Sequence, residues 1–242
     1  MKGGVVDQIR PQNIFFLLFD YVEVLDFAGS FDVFSMANLV VPGADQGKPD
    51  YDQGKTFRLY TVSEKGGQVT ALHGLKVEAD YCFKTCPLEM IDVLIIPGAS
   101  TTIIKDFIAK NPRVIEWLSA RLGHVPVVAS VCIGALILAA AGGFDGLKGM
   151  VNGTVQCTTH HAALDDLEGI LKQRSANARV IPGVRYVDNP KSKEPRILSS
   201  AGVSAGIDQA FYILREILAN EEVAARTANI MEYNQTRNWF LG

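Results

Sequence analysis

Val127-Val128-Ala129-Ser130-Val131-Cys132-Ile133-Gly134-Ala135-Leu136-Ile137-Leu138 runs from an apolar, β-branched segment straight into an apolar helix-forming one, with a thiol at the junction. A parallel strand that turns this abruptly into a helix holds the junction side chain up at the carboxyl edge of its sheet, the position of a nucleophile elbow. Ser130, Gly134 and Ala135 are small, as the close backbone approach of such a turn demands. The positive end of the following helix and its unpaired N–H groups would favour thiolate over thiol at Cys132. The competing account is a buried structural cysteine, since free cysteine is among the most buried residue types.

Outward from this junction, short apolar segments alternate with amphipathic ones. Residues 14–19, 57–63, 92–96 and 125–131 are β-rich and apolar nearly throughout, as parallel strands covered on both faces are. Between them, 28–39, 101–109 and 112–121 carry helical periodicity. The alternation predicts βαβ units and an α/β fold with a mostly parallel central sheet. Further on, the pattern predicts a helix over 159–172, a β-hairpin from 179–187 and 196–200, and helices over 204–219 and 221–232. Asp188 to Pro195 reads as the exposed hairpin loop and Pro42 to Lys55 as a second, Gly- and Asp-rich loop. Neither interrupts the patterning, so residues 1–242 are expected to form a single domain.

The formal charge of −3 supplies no broad basic field, which argues against nucleic acid as a partner. No apolar run approaches the roughly 18 to 20 residues of a membrane helix, and the first residues lack a signal-peptide core, so the expectation is a cytoplasmic protein with no membrane association. Cys82, Cys86, Cys132 and Cys157 are too few for a disulfide scaffold and are expected as free thiols. Phe19-Asp20-Tyr21-Val22-Glu23 stands where a dinucleotide-binding glycine motif would follow the first strand, and no phosphate-binding loop occurs; no cofactor is expected. Cys82-x-x-x-Cys86 has the look of half a metal site, but nothing nearby completes four ligands, so no metal is expected. Cys157 is expected to serve packing.

Several groups are placed to work with Cys132. Asp26 follows the first strand and would open at the same sheet edge, sharing a proton with the thiol or holding a water; the alternative is a plain N-cap of a helix beginning near Phe27. His160, in Thr158-Thr159-His160-His161, begins the next helix and offers a general base, with one of the two histidines simply solvated. Gly98 and Ala99, in Pro97-Gly98-Ala99, present free backbone N–H groups that with the N–H of Ile133 would line an anion pocket; a plain turn is the alternative.

These residues resemble the ThiJ/PfpI superfamily, the class I glutamine-amidotransferase-like proteins, across essentially the whole chain. The resemblance is carried by Phe16-Leu17-Leu18-Phe19 with Leu25-Asp26-Phe27-Ala28-Gly29-Ser30-Phe31-Asp32-Val33, by Asp92 to Gly98, by Ser130-Val131-Cys132-Ile133-Gly134, by Thr158-Thr159-His160 and by Ser200 to Asp208. Within it, the Leu-Asp-x-x-Gly and Ala-Gly-Ile-Asp blocks look most like isonitrile hydratases and the ligand domains of AraC-type regulators. The resemblance implies a flavodoxin-like sandwich that forms a homodimer and acts on a small molecule, with Cys132 as nucleophile and Asp26 as its acid/base partner. For isonitrile hydration it implies a Cys132 thioimidate that water resolves to an N-substituted formamide. Ile133 departs from the hydratase threonine and Ala99 from the family glycine, and the chain is several residues longer between Gly149 and Thr158. Three expectations follow: a hydro-lyase of the isonitrile hydratase type; a glyoxalase-like or peptidase/amidase thiol enzyme using His160; or a non-catalytic ligand or redox sensor. The residues after Gly206 are used by two helices and a tail carrying Trp239 and Phe240, so a sensor would need a separate output partner.

Overall fold

In this computed structural model the described residues are 11–41, 56–145, 154–189 and 195–233. The Pro42–Lys55 loop, most of the Asp188–Pro195 loop, the first half of the 149–158 extension and the 234–240 tail lie outside them. The first half of the chain comprises strands β1 (Gln12–Leu17), β2 (Phe57–Ser63), β3 (Gly67–Thr70), β4 (Lys76–Ala79), β5 (Tyr81–Cys82) and β6 (Val93–Ile96), with helices α1 (Val24–Ala37), α2 (Thr101–Lys110) and α3 (Pro112–Ser119). The second half adds β7 (Val127–Ser130), α4 (Gly134–Ala140), β8 (Val155–Cys157), α5 (Leu164–Gln173), β9 (Ala178–Val180), β10 (Tyr186–Asp188), β11 (Arg196–Ser200), α6 (Ala205–Ile213) and α7 (Glu221–Ile230).

Continuous apolar runs make central parallel strands because both faces are covered. Ile14, Phe15, Phe16 and Leu17 of β1 are all essentially inaccessible, as are the four residues of β6. Each such phenylalanine contributes about 2–3 kcal/mol by leaving water. The main sheet has seven strands in the order β10-β11-β7-β6-β1-β2-β5. All its pairings are parallel except β10 with β11. Phe16 sits in register with Thr61 on one side and Ile95 on the other. The fold is therefore α/β with a mostly parallel central sheet. The chain leaves β1 toward β2 in one direction and β6 toward β7 in the other, so strand order reverses between β1 and β6. That reversal opens a crevice at the carboxyl edge of the sheet.

Helix α1 packs on α6 and α7, while α4 packs on α2, α3 and α5. The α1–α6 contact depends on small residues. A Cβ on Gly29 would stand 2.9 Å from Ile207 and one on Gly206 2.8 Å from Val131, and the Ser30 hydroxyl donates to the Gly206 carbonyl at 3.2 Å.

The expected hairpin is half correct. β10 and β11 pair antiparallel, but Ala178–Val180 belongs elsewhere, pairing parallel with β8 in a separate two-stranded sheet. Pro182 lacks an N–H and Gly183 takes φ +73°, so the run from 179 to 187 breaks at that turn. The helix expected over 159–172 is a 3₁₀ turn at His161–Ala163 followed by α5, and the one over 204–219 is α6 continued by a π turn at Leu214–Leu218. The β3–β4 hairpin was not anticipated.

Gly134 is the tightest point of the framework. A Cβ there would lie 2.2 Å from the Ile96 carbonyl oxygen and 2.7 Å from that of Pro97, both backbone atoms that cannot rotate away. In α5, by contrast, a Cβ on Gly169 meets nothing within 4 Å. Gly169→Ala should raise unfolding free energy by about 0.5–1 kcal/mol through helix propensity, whereas Gly134→Ala should lower it by several times that amount. Urea denaturation of the two variants checks the contrast, which fails if Gly134→Ala is neutral.

Candidate active site

The strand-to-helix turn is built as an elbow. Val131 N–H donates to the Ile96 carbonyl at 2.9 Å, and Cys132 then takes φ +56° before α4 begins at Gly134. A left-handed conformation at a residue with a Cβ costs on the order of 1–2 kcal/mol. It is held because both backbone groups of Cys132 are engaged: its N–H donates to the Ala201 carbonyl at 3.0 Å, and its carbonyl accepts from the Thr159 hydroxyl at 2.8 Å. The side chain is 4% exposed.

Asp26 reaches the same place from across the crevice. It is the third residue of α1, whose N-cap is Glu23, so the N-cap alternative does not apply. Its Oδ2 accepts from the Gly98 N–H at 2.8 Å, and Glu23 N–H donates to the Gly98 carbonyl at 2.8 Å. The loops after β1 and β6 are thus clasped at the topological switch point. Gly98 is itself pressed on the elbow: a Cβ there would stand 2.7 Å from the nitrogens of both Ile133 and Gly134. This corrects the expectation of a free Gly98 N–H, which holds the carboxylate instead. Ala99 is buried in the same turn, next to Ser100, the N-cap of α2.

Burial dominates the electrostatics. Asp26 is wholly inaccessible, and desolvation pushes its pKa up to about 7. The Gly98 N–H opposes the rise, Glu23 adds to it, and the Cys132 thiol draws it down slightly. Oδ1 has no partner in good hydrogen-bond geometry, so the thiol acts on the carboxyl from nearby without a fully formed bond. The Cys132 thiol is pushed up to about 12, first by burial and then by the Asp26 charge, against the pull of the Val203 and Ile133 N–H groups. The N–H at the start of α4 does pull the thiol toward thiolate as expected, but α4 is only seven residues long and burial and the Asp26 charge pull the other way. Cys132 and Asp26 form a thiol–carboxyl pair that holds one proton above about pH 7 and two below it.

His160 stands apart from this pair. Its Nδ1 accepts from the Ala162 N–H at 3.2 Å, capping the 3₁₀ turn, so a neutral ring carries its proton on Nε2. Burial, then His161, lowers its pKa. The ring packs on Gly202, where a Cβ would lie 2.4 Å from Cδ2, and His160 is not among the groups that shift the Cys132 thiol. It lines an open pocket of about 280 Å³ with Thr159, Arg185, Gly202 and Val203. His161 is exposed, its ring 4.1 Å from that of His160. Cys157 is buried in β8 with its thiol against the Arg179 carbonyl at 3.6 Å, a packing role.

Sequence reasoning missed Val203 and Thr159. Val203 takes φ +42°, which aims its N–H at the Cys132 sulfur. The only signal was the pair of glycines around it, Gly202 and Gly206, since valine is an unexpected residue for that conformation. Among the described residues, all four cysteines are free, no group of three or more metal-ligating side chains occurs, and no helix is long and apolar enough to cross a membrane.

A carboxyl with pKa raised from 3.8 to about 7 destabilises the fold where it is ionised. The folded state binds the extra proton between those values, so stability falls as pH rises from about 4 to 7, by up to about 4 kcal/mol. Asp26→Asn keeps an oxygen for Gly98 and should flatten this dependence, making the variant more stable than wild type at pH 8 but not at pH 4. Removing the charge should also lower the thiol pKa, so Cys132 alkylation at pH 8 should accelerate in Asp26→Asn. Denaturation curves and iodoacetamide rates at the two pH values test both; an unchanged alkylation rate would contradict the coupling.

Residues 12–216 match the DJ-1/PfpI family. The chain is 26% identical over 220 residues to an isonitrile hydratase of Pseudomonas putida, covering 91% of this chain and 76% of the relative. It is 26% identical over 107 residues to a deglycase of Thermococcus kodakarensis, covering 44% of this chain and 63% of that one. A transcriptional regulator of Pseudomonas aeruginosa, GbdR, is 26% identical over 237 residues, 97% of this chain but 54% of the regulator. In three dimensions it superposes on a ThiJ/PfpI family protein from Pseudomonas syringae with TM-score 0.72 at 22% identity, covering 99% of this chain and 82% of that one. An AraC family transcriptional regulator from Pseudomonas putida gives TM-score 0.69 at 20% identity, with 91% and 100% covered. With five sequence blocks converging on one elbow and a family match over most of its length, the chain belongs to the DJ-1/PfpI family.

Proposed function

We propose that the protein adds water to the carbon of an isonitrile, with Cys132 as nucleophile and Asp26 as the group that moves the proton. The observation that carries this reading is the buried Asp26 carboxyl, poised near neutrality beside the elbow thiol. Isonitrile hydration needs a nucleophile and an acid at the same carbon, and a thiol–carboxylate pair supplies both. Asp26 takes the Cys132 proton as sulfur bonds to the terminal carbon of R–N≡C, then delivers that proton to the same carbon, giving R–N=CH–S–Cys132. It next accepts a proton from water as the oxygen adds to that carbon and passes that proton to the nitrogen, giving R–NH–CH(OH)–S–Cys132, whose hydroxyl proton is the one left to move. Collapse of the adduct breaks the C–S bond, returns the proton to sulfur and releases R–NH–CHO. The N–H groups of Ile133 and Val203 favour negative charge on sulfur during attack and departure. Ile133 supplies its backbone N–H whatever its side chain, so loss of the hydratase threonine removes a hydroxyl and leaves this donor. A homodimer and a cytoplasmic setting belong to the same proposal.

A non-catalytic small-molecule sensor is the second reading, supported by the likeness to two transcriptional regulators and by a sulfur that is 4% exposed. Carbonyl-directed thiol chemistry would need His160 as base, and its Nδ1 is engaged with Ala162.

Purified protein incubated with a simple alkyl isonitrile should release the formamide, and both Cys132→Ala and Asp26→Asn should lower kcat/KM by at least about a thousandfold. In the wild type, kcat/KM should fall about tenfold per pH unit below 7, where Asp26 is protonated and cannot accept the thiol proton, and level off above it. Formamide release that survives Cys132→Ala would rule the mechanism out, and binding without turnover would favour the sensor.

A further inference from the structure

Away from Cys132, which follows the interior strand β7, two further thiols sit at the β5 edge of the sheet. Cys82 ends β5, the outermost strand, and Cys86 follows one turn later, its N–H donating to the Cys82 carbonyl at 2.9 Å. The Cys82 sulfur is partly exposed, 3.3 Å from the Thr85 hydroxyl. That hydroxyl and the N–H groups of Thr85 and Lys84 lower its pKa, so its thiolate is favoured where that of Cys132 is opposed. Cys86 is buried.

The unusual neighbour is Arg121. It is 9% exposed, stacks over the Trp117 ring at 3.8 Å and donates through Nη1 to the Trp117 carbonyl at 2.6 Å. Its Nε is buried without a hydrogen-bond partner, and among the described residues no carboxylate lies within ion-pair distance. A buried guanidinium with no anion is costly. The one ionisable group whose charge acts on it is Cys86, and Arg121 in turn lowers the pKa of that thiol against burial. Burial still pushes the Cys86 thiol up to about 11, so Arg121 faces a neutral thiol at rest and would stabilise negative charge on that sulfur only as it forms.

We propose that Cys82 and Cys86 form a peroxide-sensitive thiol pair, with Cys82 the attacked sulfur, Cys86 the resolving one and Arg121 the cation that supports negative charge as it forms on the resolving sulfur. The Cys82 thiolate attacks a hydroperoxide, the O–O bond breaks, and with one proton the products are Cys82–SOH and ROH. The Cys86 sulfur then attacks the Cys82 sulfur, an S–S bond forms, and the leaving hydroxide takes the Cys86 proton and departs as water. Sulfur is oxidised by two electrons and the peroxide reduced by two. Residues one helical turn apart have Cβ atoms about 5–6 Å apart, and a disulfide needs about 3.8 Å. The turn must therefore tighten by about 2 Å. Residues 83–85 lie outside any helix or strand and β5 has only the Tyr81 and Cys82 ladder pairings to β2, although Phe83 stacks on Trp117 and would have to follow the movement.

Trypsin makes the test direct, because Lys84 lies between the two cysteines and cleavage places them in the separate peptides 77–84 and 85–105. Full-length protein treated with a modest excess of hydrogen peroxide, then alkylated and digested, should yield these peptides joined by a bond that dithiothreitol breaks. In Cys86→Ser the joined species should vanish and Cys82 should instead be trapped by dimedone as the sulfenic acid. Arg121→Met should slow formation of the joined species several-fold. Should that variant fail to fold, the Cys86→Ser trapping still decides. Recovery of both cysteines as alkylated free thiols after peroxide, or accumulation of trapped Cys82 in wild type as in Cys86→Ser, overturns the proposal. Neither thiol belongs to the Cys132 site, so the result is independent of isonitrile turnover.

Discussion

The hydrogen bond from the Gly98 N–H to Asp26 Oδ2 ties together everything the site requires. It crosses the point where strand order reverses, so it joins two loops whose strands lead to opposite halves of the sheet. It positions a carboxyl that the surroundings otherwise disfavour, and it exists only because residue 98 has no side chain. The same glycine lies on the nitrogens of Ile133 and Gly134, so the carboxylate and the sulfur are located by a single piece of backbone. Precision here comes from main-chain contacts, which are stiffer than any pair of rotamers.

That arrangement stores free energy at the site. Asp26 would be more stable hydrated, and Cys132 would be more stable in an ordinary backbone conformation. The core offsets both, with β1 and β6 wholly buried and α1 and α6 meeting through glycine and serine. The blocks that resemble the family divide along this line. Phe16 to Phe19 and Ser200 to Gly206 are packing and backbone geometry, while Asp26 and Cys132 are chemistry held by that packing.

Sequence reasoning read the central strands well because parallel strands buried on both faces announce themselves as short apolar runs. The elbow was legible for the same reason, together with the small residues around it. α1 begins at Val24, four residues before the periodicity suggests, because its N-cap Glu23 makes no side-chain capping bond and gives no start signal. β3 and β4 are four residues each with half of their residues exposed, too short and polar to stand out. The helix end beside Cys132 and the carboxyl of Asp26 at the same edge are both visible in sequence, whereas the depth at which the two are buried, which opposes their charges, is a tertiary fact. Val203 was hidden because its contribution is a backbone N–H, which any residue carries.

The two thiol regions show how one fold assigns opposite chemistry to the same side chain. At the elbow, a buried carboxyl faces the sulfur, so negative charge forms there only as a substrate accepts it and the proton has somewhere to go. At the sheet edge, Cys82 has a hydroxyl and two N–H groups for company and solvent at hand, and the buried charge nearby is a cation. These neighbours lower the Cys82 pKa, whereas burial raises that of Cys86. The fold thus sets a carboxyl beside the sulfur at the elbow and a guanidinium beside the thiols at the β5 edge, four strands away in the sheet.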